Sequence, residues 1–346
     1  MPAESAETTP TVSTKGPAVE TVEAVAGRVP DFFIVGHHKS GTSAMYEMLR
    51  RHPQIFMPDM KEPEFFGIVQ SRREQGACTL SDQGRPARTY ADTRPQTYAE
   101  YLSLFAPARS GQRVGEASPS YLWSSTAARL IAEVQPGARI IAILREPASF
   151  LYSLHLQMLR NHVQHETDLE RAIANEGRAG RSGRPLDYTG RVRYVEQLRR
   201  YHEAFAPEQV LVLIYDDFRA DNQGSMRAVL RFLEVDPDVP IETVSANPAL
   251  AARSRRLDRW VRTLRAGRGP VSGRVKSTFK ALTPDRLRHE AVRAVQRNVV
   301  YGSAPPPDEG LMVELRRRFK PEVIALSEYL GRDLVNLWGY DGAQDL

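Results

Sequence analysis

Residues 32–51 read Phe32-Phe33-Ile34-Val35-Gly36-His37-His38-Lys39-Ser40-Gly41-Thr42-Ser43-Ala44-Met45-Tyr46-Glu47-Met48-Leu49-Arg50-Arg51, and this stretch decides the fold. Its first five residues form an apolar run closed by glycine, the pattern of a short buried strand feeding a turn. From Thr42 the apolar residues Met45, Met48 and Leu49 fall at helical spacing, and Pro53 sets a stop, which predicts a helix over 42–51. The first unit is therefore strand, glycine-bounded loop, helix.

The same alternation continues downstream. ARIIAIL (138–144) reads as a second buried strand, followed by a helix from Pro147 to about His162, with proline in the first turn. VLVLIYDDF (210–218) reads as a third strand, followed by a helix across 223–234. Helices are also expected at 98–105, 127–134, 166–176, 191–205 and 311–330, the last after a linker at 305–310. Apolar strands separated by helices predict an α/β fold of three layers, with a central parallel sheet covered on both faces. Residues 1–29 read as a disordered leader, 68–96 as a long surface loop, and 30–340 as one domain.

Composition narrows the class. No apolar run approaches the roughly 18 residues of a membrane span, and no secretory pattern opens the chain. The single cysteine, Cys78, excludes an intrachain disulfide. A cytoplasmic protein is expected. The net charge of +5 is uneven: 253–297 carries fourteen Arg and Lys against three acids, or +11, leaving −6 for the rest. That segment, expected to be mostly helical, fits a solvated basic face as well as it fits an anionic partner. Aromatic interleaving is thin there, so nucleic acid is not the expected partner.

The loop at 36–43 carries the chemistry. Its small residues let backbone N–H groups approach an anion, beside a lysine, hydroxyls and a helix N-terminus. It is P-loop-like but departs from G-x-x-x-x-G-K-[ST], because Thr42 follows Gly41 and the lysine stands two residues before that glycine. The chain has 41 arginines and only six lysines, so Lys39 in this loop suggests a need for a compact ammonium. His37 and His38 read as spacers supplying backbone N–H groups. Arg145, at the end of the second strand, and Ser153, eight residues on, are placed for a second anionic group.

FFIVGHHKSGTSAMYEMLRRHP, KEPEFF and ILREPASFLYSLHLQ, in this order, resemble the sulfotransferases that use 3′-phosphoadenosine 5′-phosphosulfate (PAPS), above all the heparan-sulfate N- and O-sulfotransferase domain and its bacterial relatives. The likeness runs from about Asp31 to Trp338. It implies a 5′-phosphosulfate loop at Lys39, Ser40, Gly41, Thr42 and Ser43, and a 3′-phosphate site at Arg145 and Ser153. It also implies a nucleoside contact at Tyr194 and a catalytic base at Glu62, with Glu64 and Glu116 next in line. Lys39 would stabilise the leaving group. PAPS would be the co-substrate, no metal would be needed, and the acceptor would be a hydroxyl or amine of a small molecule or glycan. Two departures stand out: Ala117 occupies a position that is often lysine in heparan-type enzymes, and the family's Lys-Gly-Arg loop is not evident, leaving Arg253, Ser254 or Arg255 to replace it. The rival readings are a P-loop kinase using Mg-ATP, with Asp216 and Asp217 as metal ligands, and a non-catalytic anion or nucleic-acid binder built on the basic segment.

Overall fold

The computed structural model describes residues 28–69, 94–161, 163–177, 186–242, 250–252, 301–303 and 306–342. The expected leader up to residue 27, most of the loop at 68–96 and the basic segment at 253–297 lie outside the described residues.

Five parallel strands build the sheet: β1 (Phe32–Gly36), β2 (Ile55–Phe56), β3 (Arg113–Ala117), β4 (Arg139–Leu144) and β5 (Val210–Ile214), in the order β2-β3-β1-β4-β5. The helices are α1 (Thr42–Arg50), α2 (Tyr98–Ser103), α3 (Ala127–Val134), α4 (Pro147–Arg160), α5 (Leu169–Ala174), α6 (Tyr194–Ala204), α7 (Tyr215–Ala220), α8 (Asn222–Phe232), α9 (Glu309–Leu330) and α10 (Leu334–Leu337). A separate antiparallel pair joins β6 (Leu250–Ala252) to β7 (Tyr301–Ser303).

Strand alternation sorts the central residues into two cores. Phe33, Val35, Ile140, Ala142 and Leu144 meet the buried residues of α3, α4, α6 and α9 on one face. Phe32, Ile34, Ile141 and Ile143 meet α1 and α8 on the other. Both faces of β1 and β4 are therefore apolar, which is why their sequences read as continuous hydrophobic runs.

Three expectations need correction. Arg113–Ala117 is a strand that the apolar-run criterion passes over, because Gly115 and Glu116 interrupt it. Gly115 lies opposite Phe32 in the register, and a Cβ there would stand 2.1 Å from Phe32 Cζ and 2.5 Å from Met57 Sδ. Tyr215 to Phe218 belongs to α7, not to the third strand, which ends at Ile214. Asp216 and Asp217 occupy the first turn of α7, where the helix dipole favours acids. The closing helix also begins earlier than expected, at Glu309, because Asp308 caps it by accepting from Leu311 N at 2.9 Å.

After α9 the chain returns to the carboxyl edge of the sheet. Arg332 makes a bidentate pair with Asp217, Trp338 Nε1 donates to Asp216 at 2.9 Å, and Tyr340 Oη donates to Glu146 at 2.6 Å. Among the described residues, no helix is long and apolar enough to cross a membrane.

Gly115→Ala should destabilise the protein by about 1–3 kcal/mol, the usual span for overpacking a core. Gly137→Ala, whose nearest neighbour is Gln135 Oε1 at 4.0 Å, should be neutral or slightly stabilising. Urea unfolding of the two variants checks this; equal midpoints would show that Phe32 and Met57 move aside freely.

Candidate functional site

The site sits beyond the carboxyl ends of β1, β3 and β4, where ligands of parallel sheets bind. Its first part is the loop that leaves β1. His37 N donates to Ile143 O at 2.8 Å, and the fully buried ring sets Nε2 against Arg191 O at 2.8 Å while packing on Phe150 at 4.2 Å. The spacer role expected of His37 is therefore wrong: its N–H completes the sheet and its ring is part of the core.

Lys39 takes a left-handed backbone with φ 61°, which L-residues adopt only when their surroundings hold them there. Its ammonium is lowered to about 8, first by burial and then by Arg160 and Arg145. Gly41 caps α1 with φ 92°, and a side chain there would also meet the Phe218 ring at 3.0 Å. No side chain caps α1, and no acid lies in its first turn. Among the described residues its leading N–H groups have no side-chain acceptor. Ser40 and Thr42 are buried and Ser43 is exposed, so the three hydroxyls point to different surroundings.

Arg145 closes the other side of this loop. Its Nη1 donates to Lys39 O at 3.0 Å, and its guanidinium lies over the Tyr215 ring at 4.9 Å. Glu146, next in sequence, caps α4 by accepting from Ala148 N and Ser149 N at 3.0 and 2.6 Å. Ser153 follows on α4 and is 4% exposed. Tyr194 corrects another expectation. It has no exposed surface, its ring packs by His37 and Phe150, and its hydroxyl donates to Arg145 O at 2.9 Å. It supports Arg145 from behind and presents no face to a nucleoside.

The second part is the segment at 61–66. Glu62 and Glu64 are left-handed, with φ 61° and 53°, on either side of Pro63. Glu62 is about a third exposed, at 29%, and pairs with Lys61 Nζ at 2.5 Å. Glu64 is buried and paired with Arg94. His38 joins the two parts: its ring lies with the carboxylates of Glu62 and Glu64 in a group whose ligand atoms are all within 4.8 Å. Burial, then the charges of Arg191, Lys61, Lys39 and Arg94, lower His38 to about 3, so its imidazole is neutral at physiological pH.

Glu116, named as a reserve base, has no exposed surface and is enclosed by the hydroxyls of Tyr101 and Ser118. Sequence reasoning missed Arg94 and Arg191 altogether. Arg94 falls in the stretch taken for a surface loop and Arg191 at the start of an expected helix, and neither carries a local signal. Of the rival metal ligands, Asp216 and Asp217 are engaged by Trp338 and Arg332.

Against this geometry the comparisons speak clearly. The model of the family described as "Sulfotransferase family" matches residues 30–240. Carbohydrate sulfotransferase 15 of Homo sapiens is 27% identical over 252 residues, covering 60% of this chain and 44% of that protein. Bifunctional heparan sulfate N-deacetylase/N-sulfotransferase 3 of Homo sapiens is 27% identical over 223 residues, covering 62% of this chain and 23% of that protein. The chain thus spans less than half the length of these relatives. The crystal structure of a sulfotransferase from Alicyclobacillus acidocaldarius shares the fold, with a TM-score of 0.62 at 23% identity over 90% of this chain and 99% of that one. With the family match running through β1, its lysine loop, Arg145 and β5, this chain belongs to the sulfotransferase family.

Proposed function

We propose that the chain transfers a sulfuryl group from PAPS to a hydroxyl or amine, with a glycan as the favoured acceptor class. The observation that carries this reading is the meeting of the Lys39 loop, the N-terminus of α1 and Arg145, with His38 of the same loop lying against Glu62. Carbohydrate and heparan sulfate appear in the names of the relatives, and this supports the acceptor class.

On this reading the α1 N–H groups and the Lys39 ammonium hold the 5′-phosphosulfate, and Arg145 with Ser153 takes the 3′-phosphate. The acceptor oxygen or nitrogen attacks sulfur in line. One S–O or S–N bond forms as the bridging S–O bond breaks, and its electron pair leaves with the bisphosphate. Lys39 offsets the charge growing on that leaving oxygen. The acceptor proton goes to Glu62. His38 is the competing base by position, but burial and then the cations that oppose its imidazolium make it a poor one. The step needs no metal, since Lys39 and Arg145 supply the positive charge. A kinase would need a free carboxylate at a strand end for Mg²⁺, and the engagement of Asp216 and Asp217 by the C-terminal segment weighs against it.

Adenosine 3′,5′-bisphosphate should raise the melting temperature, as a ligand of the folded state must, and Mg-ATP should do so much less. A larger shift with Mg-ATP would promote the kinase reading. Glu62→Gln should leave bisphosphate affinity intact while lowering turnover by roughly 10²–10⁴, measured with labelled PAPS against a glycan panel. Retention of most turnover would give the base role to another group.

The lowered Lys39 ammonium adds a pH dependence. In the free protein it loses its proton as pH rises through about 8, and a bound anion restores it. Binding therefore takes up a proton above that pH, so bisphosphate affinity should fall by up to about tenfold per unit there and stay level below it. Calorimetry across pH 6.5–10 tests this, and Lys39→Met should bind weakly throughout without the decline.

A further inference from the structure

Three backbone N–H groups of the base-bearing segment, at alternate residues, are fixed to the stretch that follows β3. Glu62 N donates to Ala117 O at 3.0 Å, Glu64 N to Ser118 Oγ at 3.0 Å, and Phe66 N to Tyr121 Oη at 3.2 Å. These tethers hold the two left-handed glutamates in place. Two of the three acceptors are hydroxyls, and a hydroxyl that accepts from an amide still has its own proton to give. Ser118 directs it to Glu116, donating to Oε1 at 2.6 Å, and the Tyr121 hydroxyl lies beside the same carboxyl and lowers it. A third hydroxyl, from Tyr101, donates to Glu116 Oε2, and the Tyr101 ring stacks on Phe65 at 4.8 Å and meets Phe66 edge-on at 5.2 Å.

We propose that Glu116, a carboxyl with no exposed surface at the end of β3, is a positioning residue that sets the Glu62 segment for proton transfer by orienting Ser118, Tyr121 and Tyr101. The proposal rests on the reading of Glu62 as base. An ionised carboxylate only accepts, whereas a protonated one also carries a donor, so protonation of Glu116 rearranges the bonds it makes with these hydroxyls. Burial raises Glu116 to about 7, against the lowering effect of Ser118, Tyr101 and Tyr121. The titratable groups facing it are Tyr101 of α2, Tyr121 of the stretch after β3 and Tyr201 of α6, all raised above their ordinary value by burial. None of these phenols titrates near neutrality. The network is therefore arranged around an ionised carboxylate above pH 7 and rearranges below it.

The experiment compares Glu116→Gln, Ser118→Ala and Tyr121→Phe with the native protein. Hydrogen exchange should show lost protection in the peptide covering 62–67, at least tenfold, with the peptide covering 37–45 unchanged. Bisphosphate affinity, by calorimetry, should stay within twofold. Turnover, read as bisphosphate release from PAPS with water as acceptor, should fall by 10–100-fold in Glu116→Gln. In a Glu62→Gln background the same substitution should add less than threefold, because a residue acting only through Glu62 has nothing left to orient. The native profile should rise through pH 7, and that step should vanish in Glu116→Gln. Unchanged protection at 62–67 in all three variants overturns the proposal, as does an equal loss of turnover in both backgrounds. Full turnover in Glu62→Gln itself overturns the base reading instead, and loss of bisphosphate affinity in Glu116→Gln marks a general structural defect and refutes positioning.

Discussion

The hydrogen bond from His37 N to Ile143 O ties the loop after β1 to β4, and the architecture of the site depends on it. On the other side of β1, Ser118 N donates to Ile34 O and Leu122 N to Val35 O, at 3.1 and 2.7 Å. A parallel sheet leaves backbone groups open where its strands end, and buried ones must find partners. Here they are taken by the segments that carry the site residues. Lys39 and the stretch after Ala117 are thus held by the same central strand, one on each side. The Arg145 bond to Lys39 O then adds a side-chain tie between the ends of β1 and β4.

Electrostatics runs against this packing. Arg160 and Arg145 act on Lys39, and Arg191, Lys61, Lys39 and Arg94 act on His38. The nearby carboxylates are already matched, Glu62 with Lys61 and Glu64 with Arg94. Lys39 and Arg145 therefore share their loop with excess positive charge. Burial first, and this charge after it, shift Lys39 and His38 toward their neutral forms. An anion arriving at the α1 N-terminus reverses the sign of the local field, and Lys39 gains its full charge at the moment it has something to bind.

The half built on β1, β4 and the lysine loop was largely legible in sequence. FFIVG and ARIIAIL are buried on both faces and therefore read as unbroken apolar runs, and the lysine loop is local, so its chemistry shows in eight consecutive residues. The other half was not. RVGEA gave no strand signal because Gly115 makes room for the Phe32 ring and Glu116 is a buried carboxyl among hydroxyls. His37 looks the same in sequence whether its N–H faces a ligand or a neighbouring strand. Its ring partner, Arg191 O, lies 154 residues away, beyond the reach of any local pattern. YDDF continued an apolar run into what is really a helix start, because strand and helix periodicities cannot be told apart over four residues.

The two halves of the site also differ in what makes them rigid. On the donor side, rigidity comes from ladder bonds, a helix N-terminus and the Glu146 cap, which Tyr340 fixes from the far end of the chain. Such bonds are numerous, so apart from the His37–Ile143 ladder bond the loss of one leaves the others in place. On the Glu62 side, rigidity comes from a short chain of side-chain hydroxyls leading to one carboxyl, and a buried polar network of that kind fails cooperatively when a member is lost. The setting of the Lys39 loop is accordingly a property of the fold, whereas the setting of Glu62 is a property of a few side chains. Substitutions scattered through the core should therefore impair both halves together, while those confined to the hydroxyl network act on Glu62 and leave the lysine loop as it is.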